Sequence, residues 1–121
     1  MKRILYTLVL AFLFMAFTVP CGAAGRVLYS AAKSADALIT TGPGYFHGIT
    51  ITGDGTNAIT VDVHNGTTTG GEKIAPTIHC IQSASVKTCT YSVDPAVYCG
   101  TGQYVNITTA GTIEYTVYYS R

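Results

Sequence analysis

The side chains with which this chain could do chemistry are few. Beyond residue 25 they are Cys80, Cys89 and Cys99, the histidines His47, His64 and His79, and the acids Asp36, Asp54, Asp62, Glu72, Asp94 and Glu114. Three cysteines in an oxidising compartment imply one disulfide and one thiol left over. Cys80 and Cys89 lie symmetrically about the polar stretch Gln82-Ser83-Ala84-Ser85, so a hairpin with its tip there would set them opposite each other. That makes Cys80–Cys89 the favoured pair, with Cys99 free. The rival pairing joins Cys99 to Cys80 or Cys89. Zinc would have to recruit His79 beside Cys80, but neighbours in a strand point to opposite faces and the sequence has no CxxC, so no metal is expected.

Nucleophilic catalysis needs a base beside its nucleophile, and no Gly-x-Ser-x-Gly is present. Asp62 and His64, two apart on one strand face, are the best pair for orienting an imidazole, and such pairs are more often solvated. The six acids are too scattered for a glycosidase pair. Asp54 and Asn57 offer too few oxygens for calcium, so Asp54 reads as an Asx-turn cap, and Asp94 also reads as a turn residue. Asn65-Gly66-Thr67 and Asn106-Ile107-Thr108 fit the glycosylation pattern, which carries little weight behind a leader that is equally compatible with bacterial export. Gly100-Thr101-Gly102 precedes a strand and reads as a turn rather than a phosphate loop. No catalytic residue, cofactor or metal is expected.

The elements that must position these residues begin with a leader. Lys2 and Arg3 precede an apolar run from Ile4 to Val19, then Pro20, Cys21, Gly22, Ala23 and Ala24. This is the order of a secretory signal peptide cleaved after Ala24, and the run is shorter than the about 20 residues a spanning helix needs. Pro20 directly before Cys21 argues against lipidation. Residues 1–24 are thus a signal peptide and 25–121 a single domain of an extracytoplasmic protein. Arg26, Lys33, Lys73, Lys87 and Arg121 against six acids give a net charge of about −1, which excludes an electrostatic nucleic-acid binder.

Strict alternation runs through Asn57–His64 and Thr112–Tyr119, each preceded by a shorter alternating run at Ile49–Thr52 and Tyr104–Thr108. Two hairpins are therefore predicted, each turning on three residues, Gly53-Asp54-Gly55 and Thr109-Ala110-Gly111. Gly55 and Gly111 take the left-handed position of each turn. The two units resemble each other: Ile51-Thr52-x-x-Gly55-Thr56-x-x-x-Thr60-Val61 recurs as Ile107-Thr108-x-x-Gly111-Thr112-x-x-x-Thr116-Val117. Further strands are expected at Val27–Ala32, Ala37–Thr41, Lys73–Ile81 and Lys87–Val93, with Pro95 breaking the chain. No helical period survives beyond residue 25. The expected fold is all-β, a small antiparallel β-sandwich of seven to nine short strands, Ig-like or jelly-roll-like, after the signal peptide.

Three segments carry a resemblance: Gly44-Tyr45-Phe46-His47-Gly48-Ile49, the run Asp54–Val63, and Cys99-x-x-Gly102-x-Tyr104-Val105-x-Ile107 through Gly111-Thr112-x-x-Tyr115-x-Val117-Tyr118-Tyr119. Together, over roughly residues 36 to 121, the chain resembles small one-domain β proteins encoded among the structural genes of bacteriophages and prophages. The resemblance implies a virion-surface or assembly component without catalysis. A signal peptide departs from that pattern and points to an exported relative.

The sequence thus predicts an exported, non-enzymatic subunit that associates with itself or with another surface or assembly protein. The last strand, Thr112–Tyr119, which no lysine or proline guards, is the expected joining edge. Tyr104 and Tyr118, outward on the last hairpin, are the candidate contact surface unless a second sheet covers them. The alternative function is a secreted carbohydrate-binding module that uses these tyrosines to stack on a glycan.

Overall fold

The computed structural model describes residues 25–121; the signal peptide, its cleavage point and Cys21 lie outside the described residues. The described residues contain nine strands and no helix. They are β1 (Leu28–Tyr29), β2 (Ala37–Thr41), β3 (Gly44–Gly53), β4 (Ile59–Asn65), β5 (Glu72–Lys73), β6 (Ile78–Cys80), β7 (Thr88–Cys99), β8 (Gly102–Thr108) and β9 (Ile113–Ser120). One antiparallel sheet runs β1-β9-β3-β7, and the other runs β2-β8-β4-β5 with β6 also paired to β4. The expected sandwich is present.

Alternation builds the core as the sequence implies. Ile49 and Ile51 of β3, Ile59, Val61 and Val63 of β4, Val105 of β8, and Ile113, Tyr115 and Val117 of β9 point inward and are buried. Phe46 fills the same layer with no exposure. Their partners Thr50, Thr52, Thr60, Asp62, Glu114 and Thr116 point out. Each fully buried aliphatic or aromatic side chain contributes roughly 1.5–3 kcal/mol, so this layer supplies most of the driving force.

The two predicted hairpins do not form. β3 belongs to one sheet and β4 to the other, as do β9 and β8, so each three-residue turn is the start of an arch that crosses the sandwich. The repeated units pair crosswise instead: Ile51 stands opposite Tyr115 and Ile49 opposite Val117, while Val61 stands opposite Ile107 and Val63 opposite Val105. Alternation is satisfied equally by a hairpin arm and by a strand that leaves for the facing sheet. In the arch each unit contributes one strand to each layer, so the two units bury their apolar faces against each other across the sandwich.

The glycines separate for the same reason. Gly55 has φ of +83° and occupies the left-handed position expected of it. Gly111 is absent from the positive-φ residues, which corrects the expectation; its lack of a side chain matters because a Cβ would strike the Asp54 carboxylate and come within 2.8 Å of Asn57 Nδ2. Asp54 is the Asx cap predicted, its Oδ1 accepting Thr56 N–H at 2.8 Å and Asn57 N–H at 2.9 Å. The second arch lies against this cap, and Thr109 Oγ1 donates to the Ala58 carbonyl at 3.2 Å.

Cys80 and Cys89 form the favoured disulfide, and Cys99 is a buried free thiol. The hairpin invoked for that pair is not there, because Cys80 sits in β6 on β4 while Cys89 sits in β7 on β3. The bond is a staple between sheets. The 81–87 loop closes on itself through the Ser83–Val86 bridge and grips the first arch, with Gln82 Oε1 accepting Gly55 N–H at 2.9 Å and Gln82 Nε2 donating to Lys87 C=O at 2.8 Å. Two strand boundaries also differ. The stretch Lys73–Ile81 splits into β5 and β6 around Pro76, and β7 continues through Asp94 and Pro95, which shift its register on β3 rather than end it.

Candidate functional site

The strand order decides which residues can meet a partner. β9 is not an edge: β3 flanks it on one side, and on the other β1 and the residues after it cover it, with Ser30 N–H bonded to Val117 C=O and Lys33 exchanging both backbone bonds with Tyr115. Tyr115 Oη adds a bond to Ala35 C=O at 2.8 Å, and burial pushes its phenol pKa well up. The expectation that Thr112–Tyr119 is the joining edge is therefore corrected.

The edge of that sheet is β7, twelve residues long, paired to β3 alone. The remaining sheet-edge strands, β1, β2, β5 and β6, run from two to five residues. Gly53 N–H bonds Lys87 C=O at 2.9 Å, which makes that a hydrogen-bonded pair. Alternation along an antiparallel ladder then turns the backbone N–H and C=O of Thr88, Thr90 and Ser92 away from β3, toward open edge. All three residues are exposed, and no charge lies between Lys87 and Asp94. Natural edges are usually guarded by lysine, proline or a bulge, and Pro95 guards only the second half of this one.

Tyr104 and Tyr118 do not share a surface. Because β8 and β9 lie in different sheets, they occupy opposite outer faces of the sandwich, and both are half-buried. Tyr118 lies within hydrogen-bond reach of Thr50 Oγ1 at 3.3 Å, and Tyr104 stands between Leu38 and His64 in register. No second sheet covers either. The well-exposed tyrosines are Tyr29, Tyr45 and Tyr98, at 75%, 45% and 57%. Alternation beside buried Phe46 and Cys99 already placed Tyr45 and Tyr98 outward, but their adjacency needs the β3–β7 pairing, which sets Tyr45 opposite Tyr98 with ring centroids 5.3 Å apart. The outer face around them is tiled with hydroxyls: Thr50 and Thr90 bond each other at 3.1 Å, and Thr52 and Thr88 at 3.0 Å.

The titratable groups are engaged elsewhere. Asp62 accepts from Lys73 Nζ at 2.8 Å and Thr77 Oγ1 at 2.7 Å, and the Lys73 ammonium holds its carboxyl below the usual range. His64 is bound through Nδ1 to Gly71 C=O at 2.9 Å, so the two sequence neighbours do not form a dyad. His47 Nε2 meets Ser120 Oγ at 2.9 Å, but Ser120 is buried at 5% exposure, and the structure places no acid in hydrogen bond with His47 among the described residues. His79 faces outward and Cys80 inward, where the latter is taken by the disulfide. Asp54 is held down to about 2 by the backbone and side-chain N–H groups of Asn57 and by Thr56 N–H. Asp94 lies within strand β7, not in a turn. Of the two glycosylation-pattern asparagines, Asn65 accepts Thr101 N–H and Asn106 donates to Asp36.

The intramolecular disulfide fits an oxidising, extracytoplasmic setting, and no helix among the described residues is long and apolar enough to cross a membrane. Comparison with protein-family models, with curated proteins and with solved structures finds no match to this chain.

Proposed function

We propose that the mature chain is an exported, non-enzymatic subunit that works by association with copies of itself, joined through β7. The observation that carries this reading is the free edge of β7 from Thr88 to Ser92. Two copies related by a two-fold axis at Thr90 would pair Thr90 with its counterpart and Thr88 with Ser92, exchanging the outward backbone groups of both chains. No like charges face each other in that register. It also brings Lys87 of one copy beside the Val93-Asp94 step of the other, so opposite charges close the ladder at both ends. The interface extends the sheet from four strands to eight. The resemblance to small structural proteins of phages and prophages supports an assembly role, and the signal peptide read from residues 1–24 supports one outside the cytoplasm.

The test is analytical ultracentrifugation and electron microscopy of the protein beginning at Gly25. The wild type should associate. Thr90→Lys, which places a charge against its own symmetry mate, should return it to monomer, whereas Thr116→Lys on the interior strand β9 should not. A wild type that stays monomeric at high concentration removes the proposal, and association that survives Thr90→Lys moves the contact away from β7.

A further inference from the structure

The outer face of the β1-β9-β3-β7 sheet carries a second feature that self-association does not use. Each of its four strands contributes one tyrosine toward the same end of the sheet: Tyr29 from β1, Tyr118 from β9, Tyr45 from β3 and Tyr98 from β7. Tyr29 stands opposite Tyr118, and Tyr45 opposite Tyr98, so the four form a band across the strands. The row of Tyr118 continues through Gly48 to Ser92, and beside Gly48 the bulged His47 reaches Ser120 Oγ, opposite Tyr45, within the band. Across four strands spaced about 4.8 Å apart, the band spans roughly 14 Å. Next to it lie the hydroxyls of Thr50, Thr90 and Thr116, opposite one another in register.

We infer that this band is a binding surface for a neutral polysaccharide chain. Exposed aromatic rings are amphipathic: they offer an apolar face to the axial C–H groups of a sugar and a hydroxyl at the rim. The surrounding threonine and serine hydroxyls both donate and accept, which matches a ligand made of hydroxyls. Charge narrows the ligand class. Besides the tyrosines, the ionisable side chains on this face of β3, β7 and β9 are His47 and the acids Glu114 and Asp94, and none of the three strands carries a lysine or arginine. A phosphate, sulfate or uronate polymer would meet two carboxylates and no lysine or arginine on these strands, whereas a neutral glycan meets no opposing charge. The four-strand span suits an extended chain lying across the strands rather than one terminal sugar.

Affinity electrophoresis and pull-down of the mature protein against microcrystalline cellulose, xylan and hydroxyethylcellulose test the inference, with anionic phospholipid vesicles as the competing surface. Retention by at least one of these polysaccharides, unchanged from low to high salt, is expected. Tyr45→Ala and Tyr98→Ala should each weaken it by about tenfold, the loss of one stacking contact of about 1.4 kcal/mol. Tyr45→Phe should keep it, and Tyr104→Ala on the opposite face should leave it unaltered. Both band positions are exposed, and circular dichroism checks that the variants fold. Failure to bind any of the three polysaccharides, binding that survives both alanine variants, binding that collapses with salt, or binding to the vesicles alone would each overturn the inference. Lys87→Glu, which sets like charges against Asp94 of the other copy at both ends of the joined edge and lies off the band, separates this site from the joining edge, because a variant that no longer associates should still bind through its own band.

Discussion

Removing the sheet-to-sheet staple, by Cys80→Ala with Cys89→Ala, should lower stability by an amount the loop itself sets. The bond closes a segment with a sequence separation of 9. On the chain-entropy model a loop of that size withholds from the unfolded chain an entropy equivalent to about 2.7 kcal/mol at 25 °C. For a domain of about 97 residues, unfolding entropy near the midpoint is about 0.2 kcal/mol/K, so the midpoint should fall by about 10–15 °C. Cys80 is 3% exposed, and the small cavity left by its sulfur adds to the loss. Thermal and urea unfolding of the oxidised wild type, the reduced wild type and the double variant would measure it. The reduced and double-variant proteins should agree with each other, and the native secondary structure should persist at low temperature because the staple is a side-chain bond that supplies no ladder hydrogen bond. A midpoint lowered by less than about 3 °C would refute the loop argument. Peptide mapping that finds Cys99 bridged to either partner would refute the pairing.

Gly55→Ala should cost about 1 kcal/mol through its left-handed φ, and the cost should not depend on Asp54. Gly111→Ala should also destabilise, by displacing the Asp54 carboxylate, so in an Asp54→Ala background most of its effect should vanish; an unchanged effect in a double-mutant cycle would disprove the steric account. The Asp54 cap adds stability that is fully present above its ordinary pKa of 3.8 and is lost as pH falls through about 2, so Asp54→Asn should flatten acid unfolding over that interval, as followed by chemical shift and circular dichroism. Tyr115→Phe should cost roughly 0.5–1.5 kcal/mol by freeing the strap at Ala35, read as faster amide exchange at residues 30–35. Burial raises the Cys99 thiol pKa, so it should resist thiol reagents in the native protein and react once per chain in denaturant without reductant.

Much of the architecture is legible along the chain because alternation is a local property. Ile59, Val61 and Val63, or Ile113, Tyr115 and Val117, announce half-buried strands whatever they pair with. The Asp54 cap is legible because it lies within one short turn, where spacing restricts geometry, whereas spacing favours Cys80–Cys89 through a hairpin that the structure replaces with a staple between sheets. The open edge is not legible along the chain, for the opposite reason. Whether β9 is free depends on residues 28–33 folding back across the whole chain to cover it, and no local signal near Thr112 reports that. The tyrosines divide in the same way: outward orientation follows from parity, but that Tyr45 meets Tyr98 while Tyr104 and Tyr118 part company follows from strand order.

The amino-acid sequence by itself therefore determined an all-β chain of short alternating strands and its left-handed glycine at residue 55, since each rests on contacts between near neighbours, and it favoured the Cys80–Cys89 pair over its rivals. Only the tertiary structure decided that the repeated units are arches rather than hairpins, that β7 is the open edge, and that four tyrosines from four strands share one face. Pairing partners are chosen by mutual burial of distant segments, and an apolar face has the same period whichever sheet it joins.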